Sequence, residues 1–109
     1  MGYIYLAFAI ISEVIATTAL KASDEFTKLI PSIIVFIGYS IAFYLMTLSL
    51  RTIPIGITYA IWSGVGIVLV TILGIFLYDE IPDLPAIIGI GFIIVGIIIM
   101  HAFSTTIEH

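Results

Sequence analysis

The chain has 109 residues, of which 62% are hydrophobic and 9% charged, with a net charge of −4 at pH 7 and a mean hydropathy of +1.36. Soluble domains carry about 25% charged residues and could not bury this much apolar surface at this size, so the composition excludes a soluble globular protein. Only three basic residues are present, which argues against a nucleic-acid partner. The lack of cysteine excludes disulfides, thiolate metal sites and cysteine nucleophiles.

Clumps of charged residues divide the chain into four apolar segments. A helix needs roughly 20 residues to cross about 30 Å of hydrocarbon, and each segment is close to that length. We therefore predict transmembrane helices over residues 3–21, 31–50, 55–77 and 85–103 in one domain covering residues 1–109. The short connections favour antiparallel neighbours. No cleavable signal peptide is expected, because the amino terminus lacks a basic region.

The first predicted helix carries one charged residue near its middle, Glu13. At 1.5 Å per residue it lies about 15 Å deep, where a charged carboxylate costs roughly 2.5–3.5 kcal/mol. A bound proton or a bound cation removes that cost, and competition between the two would couple their movements. The alternative is a neutral glutamic acid that hydrogen-bonds a neighbouring helix. Helical spacing places beside Glu13 a face that includes Leu6, Ala9, Ile10 and Thr17.

The third predicted helix carries two aromatic residues whose positions indicate a binding site. Tyr59 and Trp62 are three residues apart and share a face, and Trp62 lies well inside the span although tryptophan usually concentrates at the interface. Desolvated aromatic faces attract cations by roughly 2 kcal/mol. A carboxylate with an aromatic pocket predicts a site for a hydrophobic cation. Tyr39 and Phe43 of the second helix either add walls to that pocket or pack as ordinary aromatic residues.

Closely spaced glycines mark the third and fourth predicted helices. Gly64 and Gly66 predict either a kink that acts as a hinge or a close-packing point. Gly89 and Gly96 are seven residues apart on one face of the fourth helix. Small residues at such spacing permit close helix approach, so this face is the predicted dimer contact.

Basic residues orient the chain only weakly. Arg51 and the terminal amine lie on one predicted side, and Lys21 and Lys28 lie on the other. Because orientation follows the excess of Lys and Arg, both a single orientation and a dual topology stay open. Four helices also enclose little space, and a second, inverted copy would supply the inverted repeat that transporters use for alternating access.

The segments "YIYLAFAIISEVIATTALKAS", "EFTKLIPS", "IPIGITYAIWSGVGIVL" and "PDLPAIIG" resemble the small multidrug resistance transporters over almost the whole chain. The resemblance implies an all-α protein with four transmembrane helices per chain, assembled as an antiparallel homodimer in a bacterial inner membrane. It implies exchange of protons for toxic lipophilic cations, with both copies of Glu13 as shared proton and drug sites. No cofactor, metal ligand or catalytic residue is implied.

By position, the resemblance assigns further roles. Tyr59 and Trp62 would contact the substrate, Gly64 and Gly66 would allow a bend in the third helix, and Gly89 and Gly96 would lie at the dimer seam. The chamber would be lined by Leu6, Ala9, Ile10, Thr17, Tyr39, Phe43 and Ser63.

Two positions separate the branches of this family. Guanidinium exporters usually carry a tryptophan where this chain has Ala16, and they tend to have a serine where it has Ala42. Both differences favour the branch that exports quaternary ammonium cations. Ala16 also differs from the glycine often found there in that branch, which leaves the fine shape of the pocket open.

Three alternatives to this export remain open at this point. They are a guanidinium exporter of the same family, a proton-carrying subunit of a rotary machine, and a structural membrane subunit that transports nothing. An enzyme is not expected, because the sequence holds no nucleophile–base pair, metal cluster or phosphate-binding loop.

Overall fold

The computed structural model describes residues 1–103, which form four α-helices. They are α1 (Gly2–Ala22), α2 (Leu29–Ser49), α3 (Ile55–Tyr78) and α4 (Leu84–Phe103). Each is long and apolar enough to cross a membrane, which confirms the predicted four-helix, all-α architecture. The predicted bounds differ from these by at most two residues. The remainder of the predicted domain, residues 104–109, lies outside the described residues.

Local chemistry explains where the helices begin. Pro31 falls in the first turn of α2, where a missing backbone N–H breaks no helical hydrogen bond, so α2 starts two residues before the predicted 31. Asp83 precedes α4, and its Oδ1 accepts a hydrogen bond of 3.0 Å from the backbone N–H of Ala86. This side chain therefore caps one of the free N–H groups in the first turn of α4.

The helices form a flat layer, with principal extents of 46 × 35 × 16 Å. Because a helix with its side chains is about 10–12 Å across, the layer is little more than one helix thick. α1 packs mainly on α2 and less extensively on α3, and α4 packs on α3. No residue of α4 is buried by the other described residues.

Small residues bring α1 and α2 together. Ala16 is fully buried. A Cβ atom added at Gly38 would lie 2.8 Å from the Ala16 Cβ and 3.1 Å from the carbonyl oxygen of Ser12. The two backbones approach this closely only because neither position carries a larger side chain. A tryptophan at position 16 would have to push α2 away from α1.

The core lies between α1 and α3. Leu6, Ile10 and Val14 of α1 form a buried cluster with Ile53, which belongs to the connection between α2 and α3. At the same end of the layer, the rings of Tyr3 and His101 meet edge-on with their centroids 6.0 Å apart. The amino end of α1 therefore lies beside the α2–α3 connection and the carboxyl end of α4, so successive helices run in opposite directions.

Candidate functional site

Glu13 faces an open cavity of about 520 Å³ between α1 and α3. This volume lies within the range of small-molecule sites, which is about 300–1,000 Å³. α1 contributes Glu13 and Thr17, and α3 contributes residues that recur every three or four positions on one helical face. The α3 residues are Tyr59, Trp62, Ser63, Gly66, Ile67, Val70 and Thr71.

One oxygen of the Glu13 carboxylate is held by a chain of hydroxyl groups. Thr17 Oγ1 donates a hydrogen bond of 2.8 Å to Glu13 Oε1, and Thr17 Oγ1 lies 2.6 Å from the hydroxyl of Tyr39. A threonine hydroxyl has one proton, so the Tyr39 hydroxyl donates to Thr17 when Thr17 donates to Glu13. Tyr39 on α2 thus orients Glu13 on α1 through Thr17.

The other carboxylate oxygen, Glu13 Oε2, is buried and accepts no hydrogen bond from any residue of the described range 1–103. It lies next to Gly66, where an added Cβ would be 3.4 Å away. A buried acceptor without a donor is costly, and a charged one more so. Protonation of the carboxyl would remove the cost of the charge, and a cation in the cavity would offset that charge.

Aromatic rings extend from the hydroxyl chain to the cavity wall. Tyr39 stacks on Phe43 with ring centroids 6.1 Å apart, and Phe43 meets Trp62 edge-on at 5.9 Å. Trp62 in turn lies 5.9 Å from Tyr59. α2 and α3 therefore share one continuous aromatic surface, and Phe43 and Tyr59 remain exposed within a single chain.

The structure brings some of the sequence-predicted site residues together and separates others. Glu13, Thr17, Tyr59, Trp62 and Ser63 line one cavity, and Tyr39 and Phe43 adjoin it through the contacts above. Three further predicted residues are buried elsewhere along α1 and do not line this cavity within one chain; they are Leu6, Ala9 and Ile10. Leu6 and Ile10 line a separate apolar cavity of about 320 Å³.

The two glycines of α3 have different surroundings. A Cβ added at Gly64 would overlap the side chain of Ile97, so this position lets α4 pack closely on α3. Gly66 faces Glu13 instead. α3 is a continuous helix through both positions, and their hinge role stays a prediction.

On α4, added Cβ atoms at Gly89 and Gly96 would meet no atom of α1, α2 or α3 within 4 Å. The predicted dimer face is thus uncovered in the single chain.

Three residues that line the cavity were not predicted from the sequence, namely Ile67, Val70 and Thr71. Extending the face of Tyr59 and Trp62 by the helical repeat reaches Gly66 and then these three positions. That extension is the signal that could have found them.

Comparison with known proteins identifies the family. Residues 1–93 match the family described as "Small Multidrug Resistance protein". The chain belongs to the small multidrug resistance family. This confirms the resemblance inferred from the sequence motifs, and it makes the chain a multi-pass membrane transporter and not an enzyme.

Full-length bacterial relatives support the same assignment. This small multidrug resistance chain is 44% identical to the quaternary ammonium compound-resistance protein QacE of Escherichia coli over 108 residues, which covers 99% of this chain and 98% of QacE. It is 48% identical to the multidrug transporter EmrE of Escherichia coli strain K12, covering 98% and 97% of the two chains. Its identity to the quaternary ammonium compound-resistance protein QacG of Staphylococcus sp. strain ST94 is 40%, with coverage of 95% and 97%.

Proposed function

We propose that the protein exports lipophilic cations, including quaternary ammonium compounds, in exchange for protons, and that proton and cation compete for Glu13. The names of QacE and QacG refer to quaternary ammonium compounds, which supports this substrate class. The observation that carries the mechanism is the Glu13 carboxylate, which borders the cavity and has one oxygen, Oε2, buried without a donor from the described residues.

The exchange follows from the solvation of the Glu13 carboxylate. A bare carboxylate at this depth is unfavourable, so Glu13 is stable only with a proton or a cation on it. A cation that enters the cavity displaces the proton, and a proton must return before the empty carrier can reset. Each transported cation is thereby tied to proton movement in the opposite direction.

The aromatic wall selects the chemical class of the substrate. The rings of Tyr59 and Trp62 border the same cavity as Glu13, and ring faces attract cations most strongly where water is excluded. The apolar Ile67 and Val70 extend the wall. A large cation with an apolar surface can therefore contact the carboxylate, the rings and the aliphatic side chains together, whereas guanidinium is too small to do so in about 520 Å³.

A second copy of the chain completes the transporter in this proposal. A single chain is a layer only 16 Å thick, its cavity is open, and α4 buries no residue. An inverted copy packed through the Gly89 and Gly96 face of α4 closes the cavity and supplies a second Glu13. The near balance of basic residues between the two sides permits that inversion. The bacterial relatives favour an inner-membrane location.

Proton release on substrate addition tests the proposal. Purified protein in weakly buffered detergent, slightly above neutral pH, receives tetraphenylphosphonium in one experiment and guanidinium in another. We expect protons to be released with tetraphenylphosphonium by the native protein and by Glu25→Gln, a matched loss of a carboxyl outside the spans, but not by Glu13→Gln. Release with guanidinium alone would assign the protein to the guanidinium-exporting branch. Release with neither cation would exclude competition at Glu13.

A further inference from the structure

A second carboxylate–aromatic cluster lies where α1 and α3 end. The ammonium of Lys21 forms an ion pair with Glu80 and lies 5.0 Å from the ring centroid of Tyr78. The Tyr78 hydroxyl donates a hydrogen bond of 2.7 Å to the carbonyl oxygen of Thr18, which fixes the ring against α1. The Lys21 ammonium is thus a cation of the protein itself, held between the Glu80 carboxylate and the face of the Tyr78 ring.

The Glu80 side chain is folded back against α3. The backbone N–H of Glu80 donates a hydrogen bond of 3.0 Å to the carbonyl oxygen of Gly74, and Asp79 makes the turn in the left-handed region with φ of 55°. A Cβ added at Gly74 would lie 3.3 Å from Glu80 Oε1. The Glu80 carboxylate therefore lies against the bare backbone of α3 at Gly74.

Glu80 also borders a cavity that adjoins the one around Glu13. This outer cavity has a volume of about 310 Å³, and its lining includes Gly74, Ile81 and Pro82. Val70 and Thr71 line both the outer cavity and the Glu13 cavity. Glu80 and Glu13 therefore border neighbouring cavities along α3.

We propose that Glu80 and Tyr78 form a second binding site for the transported cation, and that Lys21 occupies this site until a lipophilic quaternary cation displaces it. The assignment of the ligand rests on the proposed function. The Glu80 carboxylate and the Tyr78 ring, which both lie against the Lys21 ammonium, supply the same two attractions as Glu13 and Trp62. Ile81 and Pro82 line the outer cavity beside Glu80 and add apolar surface that an ammonium group cannot use.

Exposure makes Lys21 a displaceable occupant. The side chains of Lys21 and Glu80 are 52% and 55% exposed, and exposed ion pairs of this kind shift an equilibrium by at most about fivefold. The outer site therefore binds weakly and releases readily. It captures a cation near the membrane surface and passes it toward the deeper carboxylate.

The test inactivates the site at Glu13, the inner site, and measures cation binding at Glu80 and Tyr78, the outer site. Full-length Glu13→Gln protein is labelled with ¹⁵N-glycine, so that Gly74 reports on the outer site and Gly66 on the inner one. Tetraphenylphosphonium is then titrated in. We expect weak saturable binding that shifts the Gly74 amide signal more than that of Gly66. When Lys21→Gln is combined with Glu13→Gln, binding should tighten about two- to fivefold. When Glu80→Gln is combined with Glu13→Gln instead, the saturable binding should be lost.

Glu25→Gln is the matched control, because it removes an acid from the α1–α2 connection at the same end of the layer. It should leave the binding unchanged. Equal binding with and without Glu80→Gln, or no tightening with Lys21→Gln, would overturn the proposal. Proton release by the native protein is measured in a separate experiment. If the native protein releases no protons but tetraphenylphosphonium still binds at Glu80, only the proposed competition at Glu13 is rejected.

Discussion

Glu13 and Glu80 present the same chemical groups in two different environments. Each carboxylate lies near an aromatic ring and borders a cavity along α3. Glu13 Oε2 is buried without a donor from residues 1–103, whereas Glu80 is about half exposed and paired with Lys21. Water screens the surface pair, whereas in our proposal the deep carboxylate needs a bound proton or cation. The proposed difference between the coupling site at Glu13 and the capture site at Glu80 therefore depends on burial more than on residue type.

The largest effect is expected from Glu13→Gln. An amide cannot hold a proton in exchange for a cation, so export driven by a pH gradient in liposomes should fall to the level of protein-free liposomes. Glu13→Asp should retain export with a shifted pH dependence, because the shorter side chain places its carboxyl differently in the cavity. Sustained pH-driven export by Glu13→Gln would contradict the account, and Glu25→Gln serves as the control.

A smaller loss is expected when the ring beside Glu13 is removed. Trp62→Ala should weaken tetraphenylphosphonium binding about 30-fold, which corresponds to a desolvated cation–π contribution of about 2 kcal/mol. Trp62→Phe keeps a smaller ring, so its affinity for tetraphenylphosphonium should lie between that of the native protein and that of Trp62→Ala. Since Trp62 also packs on the core cluster, thermal unfolding must be measured alongside equilibrium dialysis. Equal losses in both variants would indicate a packing role only.

The hydroxyl chain extends the comparison, because no hydroxyl group among residues 1–103 donates a hydrogen bond to Glu80 as Thr17 does to Glu13. Thr17→Val removes the donor to Glu13 Oε1 at nearly constant volume, and we expect substrate affinity to fall about tenfold, as for the loss of a hydrogen bond to a charged group. Tyr39→Phe should have a smaller effect, because Thr17 can still donate to Glu13. A larger loss in Tyr39→Phe than in Thr17→Val would contradict this order.

The smallest effect is expected at the surface pair. Glu80→Gln should lower the initial rate of tetraphenylphosphonium export at low substrate concentration by about two- to fivefold and leave the rate at saturation unchanged. The reason is that the outer site affects capture but not exchange at Glu13. An equal reduction at all concentrations, measured against Glu25→Gln, would instead indicate a structural role for the pair.

Sequence reasoning predicted the four helices of the single chain for a simple physical reason. Charges are excluded from the spans, so the clumps that include Lys21 and Asp83 mark the connections between helices. Glu13 and Trp62 stand out in the sequence because an embedded acid and a deep tryptophan are unusual in a membrane span. The structure places them with Tyr59 around one cavity, and their roles stay predictions.

The remaining features depend on packing between helices, which spacing along the chain does not give. Lys21 and Glu80 are far apart in sequence and meet only because α1 and α3 end side by side. Gly64 and Gly66 look alike in the sequence, yet one contacts α4 and the other contacts Glu13. Similarly, Leu6 is predicted from the sequence to line the substrate chamber, but it packs in the core cluster with Ile53 of the α2–α3 connection.

The pH dependence of equilibrium binding tests the central claim most directly. Tetraphenylphosphonium affinity is measured across the pH range for the native protein and for Glu13→Gln. If proton and cation compete for Glu13, native affinity rises with pH as the competing proton is lost, and the affinity of Glu13→Gln does not change. A native affinity that is independent of pH, or the same rise in Glu13→Gln, would contradict competition at this carboxylate.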